Sequence, residues 1–202
     1  MDKEHYYDKV LNIKTAFKPM RVPKNKHYHP YEPTPYEGLE ALFKAYEIRH
    51  KGRIVDFGCG MGRINFYLHY FFKVSVIGVE MNEGLYSSAK ENLKGYAKKY
   101  KVSNEELQFF NCQAEDYAIT PLDSQFYFFN PFSIEVFKRI VNHILVSYEE
   151  APREMDVLLY YPSENYTYFL EDQTPFQLKE EIVLRELYKN NPYERFLIYT
   201  FG

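Results

Sequence analysis

The stretch Ile54-Val55-Asp56-Phe57-Gly58-Cys59-Gly60-Met61-Gly62-Arg63 decides how this chain folds. Residues 53–57 are β-branched, aromatic and charged residues in a short strand-like run, which enters a Gly-x-Gly-x-Gly turn. Glycines let a backbone turn tightly and approach a ligand without interference from Cβ. A helix opening behind them presents free N–H groups to that ligand. Ile64, Leu68, Phe71 and Phe72 mark one face of such a helix. The next strand, over 74–80, closes on Glu80, 22 residues beyond Gly58. A ribose-binding carboxylate belongs at that place in a nucleotide-binding strand–helix–strand unit.

Outward from this unit the alternation continues. Upstream, the Pro-rich stretch 29–35 reads as a directed loop. Thr34-Pro35-Tyr36-Glu37 forms a capping box, with Thr34 as N-cap, Pro35 at the first helical position and Glu37 at the third. Leu39, Leu42, Phe43, Tyr46 and His50 then predict a helix over 35–50. Downstream, Leu85, Ala89, Leu93, Tyr96 and Tyr100 form a helical stripe. Strands are predicted over 107–111, 125–129 and 156–161, and Ser133 caps a helix carrying Phe137, Ile140, Val141, Ile144 and Leu145. Alternating strands and helices require crossover connections, hence a largely parallel sheet covered on both faces. Residues 181–188 and 194–201 are strand-like and are joined by Lys189-Asn190-Asn191-Pro192-Tyr193, which makes a closing antiparallel hairpin. The fold class is therefore α/β, with a seven-stranded, mostly parallel sheet flanked by helices. Residues 1–34 form a basic N-terminal arm and Pro-rich loop, and 35–202 form the domain.

Two ligands suit the glycine turn. A dinucleotide fingerprint needs its third glycine two residues later, where Arg63 stands, and a carboxylate such as Asp56 is unhelpful beside a pyrophosphate. A cationic ligand suits Asp56 better. The Asp-x-Gly-x-Gly-x-Gly pattern resembles the first motif of the class I, Rossmann-like S-adenosylmethionine-dependent methyltransferases. Gly78-Val79-Glu80-Met81-Asn82 resembles their second motif, and Asn111-Cys112-Gln113-Ala114-Glu115-Asp116 the segment that reads the adenine edge. The resemblance implies that Asp56, Gly58, Cys59, Gly60 and Gly62 cradle S-adenosyl-L-methionine, that Glu80 holds the ribose hydroxyls, and that Met81 lies against adenine. Gln113, Ala114 and Glu115 would border the base, although the family often has Asp where Gln113 stands. The strand order with its closing hairpin matches the family over roughly 35–202.

Phe128-Phe129-Asn130-Pro131-Phe132-Ser133 ends the fourth strand, where ligands of open α/β sheets sit. It partly resembles the Asn/Asp-Pro-Pro-Tyr/Phe motif of relatives that methylate amines of nucleobases or glutamine. There the Asn side chain and a Pro carbonyl accept hydrogen bonds from the target amine, and the aromatic ring stacks on it. This chain has one proline there, and a simple strand-end turn reads equally well. Asn130, Pro131 and Phe132 are accordingly candidate catalytic residues, Asn130 also bordering the cofactor. Tyr31, Thr34 and Tyr36 are candidates to fold over the cofactor. Tyr161, Glu164 and Tyr166 either line an acceptor pocket or belong to a packed loop.

Composition narrows the partners. Aromatic residues make up 19% of the chain, with 21 Tyr, 17 Phe and no Trp; this reflects either compositional drift or a Tyr-lined cleft. A net charge of −3 does not describe a nucleic-acid binder as a whole. Residues 1–30 nevertheless hold seven Lys/Arg against three Asp/Glu, a basic arm suited to an acidic substrate or RNA, or a solvated terminus. The polar start MDKEHYYDKV is no secretory signal, and no apolar run nears the ~18 residues of a bilayer span. Cys59 and Cys112 should end strands with another between them, about 9–10 Å apart, beyond the ~7 Å reach of a disulfide. Free thiols point to a reducing cytoplasm. His27 and His29 form no metal pattern with nearby Cys or acids, so no metal is expected. The expected activity is methyl transfer to a small-molecule, protein or RNA acceptor, with nitrogen slightly favoured as the atom methylated. A nicotinamide-dependent oxidoreductase and a non-catalytic adenosylmethionine-binding scaffold are the alternatives.

Overall fold

The computed structural model describes residues 2–16, 31–49 and 52–202. Its centre is β1 (Arg53–Phe57), whose parallel neighbours are β2 (Val76–Val79) and β4 (Asp123–Phe128). β3 (Leu107–Phe110) lies outside β2, and β5 (Met155–Tyr160) outside β4. β6 (Gln177–Val183) and β7 (Arg195–Phe201) complete a seven-stranded sheet of order β3-β2-β1-β4-β5-β7-β6. β7 runs antiparallel to both β5 and β6, as the hairpin reading requires. The order reverses between β1 and β4, and at such a switch point the loops beyond the strand ends part to leave a crevice. Phe57 is level with both Val79 and Phe128, so the residues that follow β1, β2 and β4 emerge side by side at one edge.

Alternation along β1 sends Ile54 and Asp56 to one face and Val55 and Phe57 to the other. The first face is covered by α1 (Lys3–Leu11), α2 (Tyr36–Ala45), α3 (Arg63–Phe72) and α4 (Glu83–Lys99), and the second by α5 (Ile134–Glu150) and α6 (Glu164–Gln173). Phe57 stacks on Phe128 at 5.1 Å, and Phe137 on Tyr166 at 3.7 Å. Much of the aromatic excess thus packs the core. The buried tyrosines find partners for their hydroxyls, Tyr46 on Asp156 at 2.6 Å and Tyr199 on Glu171 at 2.7 Å.

Several elements depart from the sequence reading, two of them because a distant side chain takes the group that would have extended or capped the helix. The helix predicted over 35–50 stops at Ala45, because Tyr46 turns extended and sends its hydroxyl to Asp156 and Gln125. Thr34 does not cap α2: its hydroxyl pairs with that of Tyr127 at 2.7 Å, and the amide of Tyr36 donates instead to Glu4 at 3.0 Å. Ser133 does take the N-cap position of α5, as read. Phe71 is 43% exposed rather than on the core face of α3. The stretch after β5 holds α6, with Ser163 as N-cap, and not a loop. β6 begins at Gln177, earlier than 181, and Arg185–Tyr188 is a helical turn, α7.

Residues 2–16, read from the sequence as part of a basic arm, form α1 and a turn docked on α2, α3 and α4. Leu11 and Ile13 are buried in the same core as α3. The docking is organised by Asp8, 9% exposed, which accepts from the Thr15 amide and hydroxyl, the Ala16 amide and the Tyr36 hydroxyl at 2.6–3.2 Å. Beside it Arg63, at the first position of α3, ion-pairs with Glu4, donates to Thr15 Oγ1 at 2.8 Å and to the Thr34 carbonyl at 3.0 Å, and lies 4.4 Å over the Tyr36 ring.

Asp8→Ala strands several buried donors, each costing about 1–3 kcal/mol when unsatisfied. Urea unfolding should show a loss of about 2–4 kcal/mol. A change below about 0.5 kcal/mol, the range of ordinary surface substitutions, would mean that α1 does not dock.

Candidate active site

The glycine turn is built by backbone geometry. Gly58, Gly60 and Gly62 all adopt the left-handed region, at φ +80, +56 and +85. The amides of Gly58 and Cys59 both donate to the Val79 carbonyl, at 2.9 and 3.1 Å, which ties the start of the turn to the end of β2. A Cβ on Gly58 would fall 2.8 Å from Cβ of Pro131, so glycine is required for the segment after β4 to lie against the turn. At Gly60 a Cβ would fall 2.1 Å from a ring carbon of Tyr31. The Tyr31 ring therefore lies directly on the turn, its hydroxyl donating to the Thr15 carbonyl at 3.1 Å. Thr34 and Tyr36, the other two candidates for covering the cofactor, are instead tied to Tyr127 and Asp8. Residues 28–30 of that loop, and His27 with His29, lie outside the described residues.

Two carboxylates meet beneath the turn. Asp56, 3% exposed, sits in register between Gly78 of β2 and Tyr127 of β4. Glu80, 8% exposed, accepts from the Gly60 amide through Oε2 at 2.9 Å and from the Asn82 amide through Oε1 at 2.7 Å. Burial raises the Glu80 pKa, and the amides of Asn82, Gly60 and Met81 partly offset this. Among the described residues none donates to the Asp56 carboxylate. Burial, and then the charge of Glu80, push its pKa well above the carboxylate range. Cys59, buried beside both acids, is held as a neutral thiol by the same burial and charges. A buried acid pair with one member lacking donors suits a cation in the crevice.

The remaining sequence candidates take distinct places. Met81 follows Glu80 at partial exposure, its carbonyl accepting from Asn111 Nδ2 at 3.1 Å. Gln113 is exposed and Ala114 buried at the start of a short 3-10 turn, while Glu115 is ion-paired with Arg139 at 2.8 Å. Asn130 adopts φ +38, rare for a residue with a side chain, and opens onto a cleft of about 310 Å3. Tyr161 and Glu164 line the same cleft, whereas Tyr166 is buried and exchanges hydrogen bonds with the Phe132 backbone, donating to its carbonyl at 2.7 Å. Phe132 is 3% exposed, with its ring in the core under α5, and does not line the cleft. Tyr193, which the sequence reading places only as a hairpin residue, lines it as well. The signal for Tyr193 is topological: β7 returns beside β5, so the loop before it must reach the end of β5.

Cys59 and Cys112 are free, as the strand spacing requires. Among the described residues no three His, Cys, Asp or Glu are grouped to hold a metal, and no helix is long and apolar enough to cross a membrane.

No family model matches the chain, and no curated protein matches it in sequence. Solved structures match it in fold. The human methyltransferase 10 domain containing protein superposes with a TM-score of 0.64 at 12% identity, over 98% of this chain and 93% of its own. An RNA methyltransferase from Salinibacter ruber, in complex with S-adenosyl-L-homocysteine, gives 0.54 at 15% identity over 84% of this chain and 92% of its own. The tRNA (uracil-54, C5)-methyltransferase of Pyrococcus abyssi, also with S-adenosyl-L-homocysteine, gives 0.58 at 14% identity over 85% of this chain. This chain spans only 40% of the length of that enzyme. At such identities the likeness is one of architecture: the strand order, the closing antiparallel pair and the glycine turn at the switch point give this chain the Rossmann-like class I methyltransferase fold.

Proposed function

We propose that this chain is an S-adenosylmethionine-dependent methyltransferase, with the cofactor in the crevice over Asp56 and Glu80 and the acceptor beside Asn130. The observation that carries the reading is the buried acid pair under a glycine turn. A pyrophosphate would add negative charge next to an Asp56 that has no donor among the described residues; a sulfonium and an ammonium supply the opposite charge. A cationic ligand also explains why a residue so costly to bury is retained there.

The residue roles follow from placement. Gly58, Cys59, Gly60 and Gly62 form the floor, with Asp56 toward the cationic end. The two oxygens of Glu80 accept from backbone amides of the turn and of the residues after β2, and their remaining accepting capacity faces the ribose hydroxyls. Met81 offers an apolar face to adenine, and Gln113 and Ala114 border the base edge. The Glu115 carboxylate is taken by Arg139, so Glu115 contributes through its backbone. Tyr31 screens the turn from water. The cofactor supplies an activated methyl group, and its displacement needs chiefly alignment of the incoming atom. Asn130 borders the cleft and the Pro131 ring packs against Gly58, which together with the partial motif supports a nitrogen target. Small molecule, protein and RNA are the acceptor classes considered, and two free thiols fit a cytoplasmic location.

Calorimetric titration with S-adenosylmethionine, S-adenosylhomocysteine and NAD should show saturable binding of the first two alone. Glu80→Ala should weaken binding about 10–100-fold, the equivalent of one or two charge-assisted hydrogen bonds. Binding of NAD alone would overturn the proposal in favour of an oxidoreductase, and cofactor binding without turnover on any acceptor would leave a scaffold.

Asp56 also sets a pH dependence for the unliganded protein. A carboxyl whose pKa is raised by folding binds more protons when folded. Its contribution is complete below the ordinary carboxylate range near pH ~4 and is lost as pH rises through the raised value. Asp56→Asn should therefore raise the melting temperature at neutral pH, by about 2–4 °C per kcal/mol recovered. The gain should disappear at pH ~4. A lower melting temperature at both pH values would show that the carboxylate is satisfied in the folded protein.

A further inference from the structure

Each glycine of the turn is faced by a side chain where a Cβ would stand. At Gly62 these are the Phe109 and Phe66 rings, and at Gly58 it is Pro131. Phe66 of α3 and Phe109 of β3 are buried in the core, and Pro131 follows β4 closely, so both contacts belong to the frame of the domain. Gly60 is faced instead by Tyr31, two of whose ring carbons would lie 2.1 and 2.3 Å from that Cβ. Tyr31 stands before α2, in neither a helix nor a strand.

What holds the ring there comes from the N-terminal helix. The Tyr31 hydroxyl donates to the Thr15 carbonyl at 3.1 Å. Thr15 is fixed in turn, donating its amide and hydroxyl to Asp8 and accepting from Arg63 Nε. The residue before it is clamped to α4 and to the glycine turn: Asn92 Oδ1 accepts from the Lys14 amide at 2.8 Å, and Asn92 Nδ2 donates to the Lys14 carbonyl at 3.1 Å and the Met61 carbonyl at 3.0 Å. Burial raises the pKa of the Tyr31 hydroxyl, Arg63 opposes the rise, and Asp8, Cys59 and Asp56 add to it. The hydroxyl therefore lies in the field of the same acid that the proposed ligand would meet.

A glycine in such a turn leaves its Cα bare so that a ligand can come against it. At Gly60 that approach is taken by a ring of the chain itself. Ring and ligand cannot fill the same close-packed space. The tether is a neutral hydrogen bond to a carbonyl, modest in net worth because water replaces it when it breaks. We propose that Tyr31 is a self-occluding contact: its ring holds the place on Gly60 that the ligand of the glycine turn takes, and the ligand binds by displacing it. This rests on the cofactor reading above and adds a regulation to it. The observed affinity is reduced by the fraction of molecules in which the turn is open, and the bond from Tyr31 to Thr15 sets that fraction.

The test is calorimetric titration of the full chain with S-adenosylhomocysteine. Tyr31→Ala should bind it about tenfold or more tightly than wild type. Tyr31→Phe, which keeps the ring and loses the bond to Thr15, should bind it about two- to fivefold more tightly. Wild-type affinity in both variants, or weaker binding by Tyr31→Ala, would overturn the proposal, since the ring would then be a bystander or a surface that packs on the ligand. A crystal structure of the wild-type complex gives the answer without a variant: the Tyr31 ring should have left Gly60, and a ring still seated on Gly60 beside bound ligand would overturn the displacement. Binding by Tyr31→Ala where wild type shows none would support it in its strongest form. Failure of both proteins to bind S-adenosylhomocysteine would overturn the underlying cofactor reading, and the occlusion with it.

Discussion

A carboxylate buried in the middle of a sheet is expensive, and the site is organised around one. Asp56 lies between Gly78 and Tyr127 with almost no exposure, and the charge of a second acid, Glu80, bears on it. Neither burial nor Coulomb repulsion favours ionising it in the unliganded protein. On the proposed reading, what makes the position intelligible is its place at the switch point, one residue before the ends of β1 and β2 and beside β4, where a cationic ligand would face the carboxylate. Glu80 differs because backbone amides of the turn already solvate it. The pair therefore divides into one acid satisfied by the protein and one that waits for a partner, a division suited to a ligand with a polar and a cationic end.

The turn above the acids is held from three directions. β2 grips it through the Val79 carbonyl, the segment after β4 presses Pro131 against Gly58, and Tyr31 lies on Gly60. The last contact depends on α1. Asp8 and Arg63 fasten the turn after α1 to α2 and the start of α3, and Thr15 in that turn accepts the Tyr31 hydroxyl. Stability of the N-terminal helix and coverage of the glycine turn are thus consequences of the same buried polar network. Arg63 stands where a dinucleotide-binding turn would have its third glycine, and here it serves that network.

The sheet was legible because its signals are local. Runs such as Ile54-Val55 and Val76-Ile77 between turns read as strands without further context, and β1 was placed to the residue. The acids and glycines were legible for the same reason, since their spacing within one strand–turn–helix unit is itself the signal. What escaped depends on distant partners. α1 is short, mostly polar, and buries little beyond Asp8 and Leu11, so its sequence resembles a solvated terminus until Arg63 and Tyr36 are placed beside it. Thr34 carries the pattern of a cap, yet Tyr127, 93 residues away, takes its hydroxyl. Phe132 reads as an exposed stacking ring, but Tyr166 of the unforeseen α6 fixes its backbone so that the ring enters the core. Tyr193 gives no sign of a place in the cleft until β7 is known to return along β5.

The central claim is that Asp56 accepts a cation, and proton linkage addresses it most directly. Calorimetry of S-adenosylmethionine binding, repeated near neutral pH in buffers of different ionisation enthalpy, counts the protons exchanged on binding. If Asp56 is protonated when the crevice is free of ligand and ionised against the ligand, binding releases a proton, and Asp56→Asn abolishes the release. Binding with no proton release, unchanged in Asp56→Asn, would contradict the account.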